Sequence, residues 1–254
     1  MNLYKLLLGI LLWIVPLTLF GQRYVSGRVT DAEDGEPIPG VSVFIDGSAV
    51  GITTDSAGYY RLTIPGSGSY KLVASHAGYQ LFSKEIETGQ KSTVLDVALY
   101  FRTLDEVKVT ETVKARKEDI ILFWRKILGK QPDKTIFATN PEKVFYYYNP
   151  KSRILTVSCP VPLQISNLKT GYHIEYILDR FTHDYNTNAS FWSAQFMFKE
   201  LEPEDTKQKN SWIKNRENVY RVSLSNFIKA LYNDSLMENG FFIAQKCYRP
   251  AISC

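Results

Sequence analysis

Short runs in which apolar and polar residues alternate dominate the chain from Tyr24 to Ala98. The run YYRLTI, for example, places Tyr60, Leu62 and Ile64 at every second position, so these side chains share one face of a strand. Gly, Pro, Asp and Ser separate successive runs, and Asp46-Gly47 predicts a hairpin. About seven such strands in some 75 residues predict a small antiparallel β-sandwich.

The pattern changes after residue 110, where a charged segment leads into apolar residues at helical spacing. Gly129 follows these residues and can end the helix. The predicted apolar positions of this helix are Ile120, Ile121, Phe123, Trp124, Ile127 and Leu128. Alternation then returns in KVFYYYN and RILTVSCPV, which predict a hairpin, and in GYHIEYILDRF and FWSAQFMFKEL. In the last of these, one face carries Trp192, Ala194, Phe196 and Phe198.

The remaining segments predict a polar loop, a helix and the start of a strand. EPEDTKQKNSW (202–212) has the composition of a loop, and FFIAQK (241–246) is a candidate strand. Between them, residues 223–240 predict a helix that begins at Ser223 and is closed by Gly240. Its predicted inner face includes Phe227, Leu231 and Met237. Residues 120–254 therefore predict an α+β region with antiparallel strands.

Four segments follow from these patterns: a signal peptide at 1–21, a β-sandwich domain at 22–99, a linker with the start of a helix at 100–119, and the α+β region at 120–254. The leader carries Lys5 and then an apolar run over 6–20, which is short for the roughly 20 residues that cross a bilayer. It therefore favours a secretory signal, with an uncleaved signal anchor or a buried helix as the alternatives. No later run predicts a transmembrane helix in the mature chain.

Composition limits the classes of partner and of covalent chemistry. The 254 residues, 44% of them hydrophobic, are enough for two domains after the leader. A formal charge of +4, or +3 without Lys5, is too small to suggest nucleic-acid binding. The odd set of Cys159, Cys247 and Cys254 is not a disulfide framework, although a Cys159–Cys247 bridge and buried free thiols both remain open. Whether the chain is truncated at Cys254 is left open.

The order of motifs in the first region resembles a known family. G-x-V-x-D begins at Gly27, G-x-P-I-P-G-V-x-V-F-I at Gly35, and T-D-x-x-G-x-Y-x-L-x-I-P at Thr54, with a G-Y pair at Gly78. This order resembles the carboxypeptidase regulatory-like domain family and implies its transthyretin-like (prealbumin-type) β-sandwich. Similar modules occur at the N-termini of SusC-type TonB-dependent transporters and in other envelope proteins of Bacteroidota. The segment 216–241 resembles the downstream part of such envelope proteins, for which the resemblance implies no chemistry.

The family name raises the question of zinc peptidase activity, which would need a His-x-x-Glu motif. Three residues after His76, His173 and His183 stand Tyr79, Tyr176 and Asn186, so the motif is absent. Glu175 shares a strand face with His173, and we interpret this pair as part of a solvent-facing polar row. We likewise interpret the carboxylates as turn-forming and strand-capping groups rather than calcium ligands, because no EF-hand loop surrounds them. These carboxylates are Asp31, Asp46 and Asp55.

Three further sets of residues are candidates for binding or catalysis. The aromatic residues Tyr146, Tyr147, Tyr148 and Trp192 have the flat faces that bind glycans, but packing in core and edge strands is the favoured interpretation. The cations Arg216, Arg221 and Lys229 are interpreted as a solvated face rather than a site for anionic envelope components. Ser223 and Ser225 lack the G-x-S-x-G setting of a serine hydrolase.

The sequence thus predicts a non-catalytic, exported cell-envelope protein, periplasmic or associated with the outer membrane, whose β-sandwich is a binding or docking module. Its expected partner is an envelope protein or a glycan, and no catalytic, cofactor or metal residue is assigned. One alternative is the N-terminal part of a TonB-dependent transporter or another barrel protein. A second is the accessory domain of a carboxypeptidase-like enzyme.

Overall fold

The computed structural model describes residues 23–89, 92–102, 113–129 and 134–244. The predicted signal peptide, residues 103–112 of the predicted linker, and the cysteines at 247 and 254 lie outside these ranges. The described residues up to 102 and those from 113 onward belong to two separate compact units.

The first unit consists of eight strands in two sheets. Their bounds are β1 Arg23–Asp31, β2 Ser42–Ile45, β3 Gly51–Thr53, β4 Tyr59–Ile64, β5 Gly68–Ser75, β6 Phe82–Thr88, β7 Thr93–Val94 and β8 Val97–Leu99. In one sheet β1 lies between antiparallel β4 and the parallel strands β7 and β8. The other sheet has the antiparallel order β3-β2-β5-β6. The predicted sandwich and the hairpin at Asp46-Gly47, which joins β2 to β3, are therefore confirmed.

Alternation along the strands accounts for the core of this unit. On β4 the predicted inner residues Tyr60, Leu62 and Ile64 are buried, whereas the residues between them are exposed. Side chains from both sheets form one buried cluster, as the two inner faces of a sandwich do. Gly27 of β1 lies in this interior, and a Cβ there would lie 1.9 Å from the carbonyl oxygen of Leu95. The backbones approach so closely at this point that only glycine fits.

The second unit is built on a seven-stranded antiparallel sheet. Its strands are β9 Val113–Lys114, β10 Ile136–Ala138, β11 Phe145–Asn149, β12 Ile154–Ser158, β13 Leu163–Asn167, β14 Tyr172–Asp184 and β15 Ala189–Glu200. The order is β10-β13-β14-β12-β11-β9, and β15 pairs with β14 along its length. β11 and β12 form the predicted hairpin.

Helix α1, Lys117–Leu128, supplies the aromatic centre of the second core. Phe123 is fully buried. Its ring makes T-shaped contacts with the rings of Tyr146 and Phe181, at centroid distances of 5.7 and 5.1 Å. The helix and its end at Gly129 were predicted, but its inner face was assigned only in part. Ile120 and Ile121 are exposed, whereas the neighbouring Leu122 is buried.

Two predictions for the C-terminal part are wrong. Much of the predicted polar loop at 202–212 belongs to helix α2, Thr206–Arg221, which Asp205 caps by accepting a 2.6 Å hydrogen bond from the Gln208 amide. The predicted helix over 223–240 is only α3, Leu224–Tyr232, capped at its start by Ser223 as expected. It stops before Gly240 because Asp234 adopts a left-handed backbone conformation with φ of 52°.

The predicted inner face of this last helix is wrong at two of its three residues, since only Phe227 packs inward, against Phe241. Leu231 and Met237 are exposed, and the buried residues of α3 are Asn226 and Ala230. Residues 241–244 form no strand, and 245–246 of the candidate strand lie outside the described residues. Within the described ranges, none of the helices has the length and apolar character needed to cross a membrane.

Candidate functional site

The three histidines lie in different surroundings and share no ligand set. His76 meets the edge of the Tyr79 ring, with 5.5 Å between centroids. His173 Nε2 lies 2.6 Å from the side-chain oxygen of Gln164, and the neighbouring Glu175 is paired with Lys199. Among the described residues, no group of three or more His, Cys, Asp or Glu side chains is arranged to hold a metal ion.

The carboxylates weighed as calcium ligands are engaged in turns and ion pairs. Asp31 accepts hydrogen bonds from the Glu33 amide at 2.7 Å and the Tyr79 hydroxyl at 2.9 Å, and these bonds lower its pKa. Asp55 accepts from two amides of its own turn, at 2.8 and 2.9 Å. Asp46 lies 3.8 Å from the ammonium of Lys71. Their contacts are those of turn carboxylates.

A buried polar network in the second unit was missed by sequence reasoning. Asp119, which is fully buried, accepts hydrogen bonds from the Arg116 amide at 2.8 Å and from its guanidinium at 2.9 and 3.2 Å. The hydroxyl of Tyr185 donates to the same carboxylate. Burial raises the pKa of Asp119, but these bonds outweigh it and the net pKa is lowered. Asp119 and Tyr185 are 66 positions apart, so no local pattern connects them.

The network continues to a histidine and a serine but does not form a catalytic triad. His183 packs against the edge of Tyr185, 4.5 Å between ring centroids, and its Nδ1 lies 2.8 Å from Ser190 Oγ. In a triad the carboxylate orients the imidazole. Here the side chain of Asp119 accepts hydrogen bonds from Arg116 and Tyr185 instead, and His183 is only 2% exposed. The arrangement instead ties the start of α1 to the β14–β15 strand pair.

The aromatic candidates divide between the core and the surface. Tyr146 packs against Phe123, and Tyr148 lies edge-on to Tyr185 at 5.9 Å, so both take part in packing. Burial raises the pKa of Tyr146 to about 12. Trp192 is 44% exposed and stacks on Phe181 at 6.4 Å, on the face of β15 that the sequence predicted.

The three residues of the predicted cationic face lie in different surroundings. Arg216 has a structural role, because its guanidinium donates to the carbonyls of Thr170 and Gly171 and lies 3.9 Å above the ring of Tyr172. Arg221 and Lys229 are exposed. Of the two serines, Ser223 is the cap of α3 and Ser225 is exposed on the same helix. Cys159 is a buried free thiol that donates to the Val161 carbonyl, and burial raises its pKa.

The first unit displays a surface that sequence reasoning did not single out. On the outer side of the β1–β4 pair, the guanidinium of Arg61 lies 3.8 Å above the ring of Tyr24, and that of Arg28 lies 5.5 Å from the ring of Tyr59. Arg61 and Tyr59 are exposed, and Tyr24 and Arg28 are half-buried. We call these four residues the Arg–Tyr face. The alternation of β1 and β4 could have revealed it, because its members are the outward partners of buried residues.

The Arg–Tyr face has the composition of a recognition surface. Arginine and tyrosine are enriched where proteins bind partners, because each combines a flat apolar surface with polar atoms. Stacking on a ring also holds each guanidinium in place before a partner arrives, which reduces the entropy lost on binding. The face can therefore bind carboxylates, aromatic rings or sugar hydroxyls.

The family model and the curated relatives each match less than half of this chain. Residues 25–109 match the family model of the CarboxypepD_reg-like domain. TonB-dependent receptor P26 of Formosa agariphila is 42% identical over 99 residues, which cover 39% of this chain and 9% of the receptor. TonB-dependent receptor P3 of the same organism is 31% identical over 100 residues, covering 39% and 10%. The chain thus spans about a tenth of the length of the curated relatives it matches.

Among solved structures, the cohesin–X-dockerin complex Coh3ScaB-XDoc_M1ScaA of Acetivibrio cellulolyticus includes a chain with 18% identity. The likeness covers 31% of this chain and 58% of that one, with a TM-score of 0.28, which is too low to support an argument. The family match and the two-sheet architecture agree with each other. The described residues from 25 to 102 thus form a β-sandwich, and the segment 25–109 matches the carboxypeptidase regulatory-like domain family and is similar to a segment of TonB-dependent receptors.

Proposed function

We propose that this protein is a non-catalytic, exported protein of the cell envelope whose β-sandwich docks onto an envelope partner, a protein or a glycan, through the Arg–Tyr face. The observation that carries the proposal is the two Arg–Tyr pairs on the outer side of β1 and β4, each with one exposed and one half-buried member. The similarity to TonB-dependent receptors supports an envelope location, at the periplasm or the outer membrane.

Two features of the described residues favour docking over catalysis. The histidines are dispersed, and the one serine–histidine pair is enclosed and lacks a carboxylate bonded to the imidazole. The sandwich, in contrast, has a complete core and offers its polar and aromatic groups on the outside. A rigid module of this kind loses little conformational freedom on binding.

The experiment is crosslinking in the native host followed by pull-down of the chain. We expect an envelope adduct that is lost when residues 24–99 are deleted and strongly reduced by Arg61→Ala, which removes one of the two stacked guanidiniums. Replacing each histidine in turn with Gln is expected to leave the adduct unchanged.

Lys84→Ala is the matched control, because it removes an exposed cation from β6 in the opposite sheet. An adduct that Arg61→Ala and Lys84→Ala reduce equally would contradict docking through the Arg–Tyr face. Loss of the adduct only on replacement of histidines, together with hydrolysis of peptides by the purified protein, would contradict the non-catalytic function. Digestion of the adduct with proteases or with glycosidases identifies the chemical class of the partner.

A further inference from the structure

Strand β4 lies at an edge of its sheet. In the described part of the chain it pairs with β1 alone, so its other side adjoins no strand. We call this side the free edge of β4. The outward side chains of the strand, those of Tyr59, Arg61 and Thr63, are all exposed. Edge strands present N–H and C=O groups that extended segments of other chains can bind, so the free edge is a candidate binding site.

Hydrogen bonding to β1 decides which backbone groups lie at the free edge. In antiparallel strands, hydrogen-bonded pairs of residues alternate with pairs that are not hydrogen-bonded. The Val29 amide donates to the Gly58 carbonyl at 2.8 Å, so every second residue of β4, counted from Gly58, bonds to β1. Arg61 and Thr63 lie between those residues, and their amides and carbonyls therefore point to the free edge. The amide and carbonyl of Tyr59 are already bonded in the turn before β4.

The cation at the free edge is Arg61, which forms no ion pair with any described residue. Two carboxylates flank the Arg–Tyr face, and both already accept backbone hydrogen bonds. Asp55 does so in the turn before β4, and Asp96 accepts from an amide of β1 at 2.8 Å, on the side of β1 away from β4. The guanidinium of Arg61 lies above Tyr24, the register partner of Thr63, and so points away from Asp55. Because β4 itself has no acidic residue, its free edge offers a positive charge.

We propose that the free edge of β4 binds an extended acidic segment of a partner protein, which adds to the sheet as an antiparallel strand. The backbone of this segment bonds to the amides and carbonyls of Arg61 and Thr63. Its acidic side chains, at every second position, lie on the same side of the sheet as the Arg61 guanidinium and accept hydrogen bonds from it. This inference rests on the docking function proposed above, and it names the partner as a protein and β4 as the strand that holds it.

An acidic segment fits the free edge better than a second copy of the chain does. Two copies joined through β4 would place their Arg61 guanidiniums close together. Like charges on paired strands oppose association, whereas a carboxylate in the same place neutralises the cation. The charge of Arg61 therefore disfavours pairing between copies and favours a segment of opposite charge.

A glycan fits the free edge less well for a different reason. A sugar chain with carboxylates could neutralise Arg61, but it has no row of amides and carbonyls at the spacing of a strand. The backbone groups of Arg61 and Thr63 would then gain no strand partner. The ligand that satisfies both the backbone groups and the cation is an acidic peptide in extended conformation.

The test is the binding of labelled synthetic peptides, measured by fluorescence anisotropy. The chain from Gln22 onward is used, because it retains every described residue and lacks the apolar leader. The acidic peptide alternates Glu with Val over about eight residues, the length of an ordinary strand. One comparison peptide has Lys in place of Glu, and the other is the acidic peptide with every amide N-methylated, which keeps its charges but donates no backbone hydrogen bond. We expect the acidic peptide to bind, less tightly in added salt, and both comparison peptides to bind at least about tenfold more weakly.

Arg61→Glu should reverse the preference between the charged peptides. The acidic peptide should bind this variant at least about tenfold more weakly than the unchanged chain, and the Lys peptide should bind it more tightly than the acidic one. The matched control is Lys84→Glu, the same change of charge at an exposed residue of β6, the edge strand of the other sheet. It should bind the acidic peptide as the unchanged chain does. Both variants replace exposed residues, so their thermal unfolding should match that of the unchanged chain.

Three results would overturn strand addition at β4. The first is equal binding of the acidic peptide and its N-methylated form, which would leave charge as the only attraction. The second is equal binding of the acidic peptide by Arg61→Glu and Lys84→Glu. The third is a lack of peptide binding together with another ligand at Arg61. Oligogalacturonate binding that Arg61→Glu abolishes would identify a glycan, and a dimer in sedimentation equilibrium that depends on β4 would identify a second copy.

Failure of this inference is distinguishable from failure of the docking function. An adduct in the native host that Arg61→Ala reduces, with no binding of the acidic peptide, would contradict strand addition and retain docking through the Arg–Tyr face. An adduct that Arg61→Ala leaves unchanged would contradict the docking function itself.

Discussion

Burial of the His183 imidazole makes the stability of the second unit depend on pH. Burial and the nearby Lys126 lower its pKa below the ordinary 6.5, and the opposing carboxylates Asp184 and Asp119 do not compensate. In the unfolded chain the imidazole takes up a proton near pH 6.5, so below that pH the unfolded state binds more protons than the folded one. The free energy of unfolding should therefore fall as the pH is lowered from about 7.5 to about 5.5.

His183→Gln should flatten this pH dependence, whatever its effect on stability at neutral pH. Urea unfolding of both proteins at the two pH values measures the difference. Asp31, Asp119 and Asp184 have pKa values lowered from 3.8, so their contributions are lost only at more acidic pH and do not affect this window. An equal dependence on pH in both proteins would show that His183 is not its source.

Gly171 lies against the ring of Trp212, so a side chain at position 171 would overlap that ring. It adopts φ of 70°, and a Cβ there would lie 2.2 Å from ring atoms of Trp212. Gly171→Ala should therefore lower the free energy of unfolding by more than the roughly 1–2 kcal/mol of a left-handed residue alone. Gly240→Ala is the control, because Gly240 has φ of 78° and nothing within 4 Å of the Cβ position. Urea unfolding that gives equal losses for the two would mean that Trp212 moves away freely.

At the scale of elements, helix α1 stabilises the second unit through one ring. Phe123→Ala should lower the free energy of unfolding by about 3–5 kcal/mol, because it leaves a cavity among Tyr146, Phe181 and the other core residues. Ile121→Ala, on the exposed side of the same helix, should change it by less than about 0.5 kcal/mol. Urea unfolding followed by tryptophan fluorescence compares them. Similar losses of unfolding free energy in the two variants would contradict an orientation of α1 in which Phe123 faces the core and Ile121 faces solvent.

Sequence patterns were sufficient where an element buries one face and exposes the other. β4 is such an element, and its inner residues were predicted correctly. Helix α2 was missed because Trp212 is its one buried residue, so its sequence has no apolar periodicity. On α1 the apolar residues cover more than one face, so spacing alone did not choose between Ile121 and Leu122.

The composition of an element did not reveal which of its faces is exposed to solvent. Leu231 was assigned to the inner face of its helix because it is apolar, yet the buried positions are taken by Asn226 and Ala230. The bond between Asp119 and Tyr185 joins residues that only the folded sheet brings together. Long-range pairing of this kind lies outside any local pattern.

At the scale of the whole molecule, the two units have cores that share no residue. The first core contains Leu72, and the second contains Leu155; both side chains are fully buried. Cooperative unfolding follows the packing of a core, so we expect two transitions in calorimetry of the chain from Gln22 onward. Leu72→Ala should lower the midpoint of one transition, and Leu155→Ala that of the other, at a cost of about 2–5 kcal/mol each.

Tryptophan fluorescence assigns the two transitions independently of calorimetry. Of the four tryptophans, Trp13 is in the leader, and the other three, Trp124, Trp192 and Trp212, belong to the second unit. Fluorescence of the chain from Gln22 onward therefore follows the second unit alone. Leu155→Ala should shift the fluorescence transition, whereas Leu72→Ala should leave it in place while shifting a calorimetric one. A shift of the fluorescence transition by Leu72→Ala as large as that by Leu155→Ala would show that the units unfold as one.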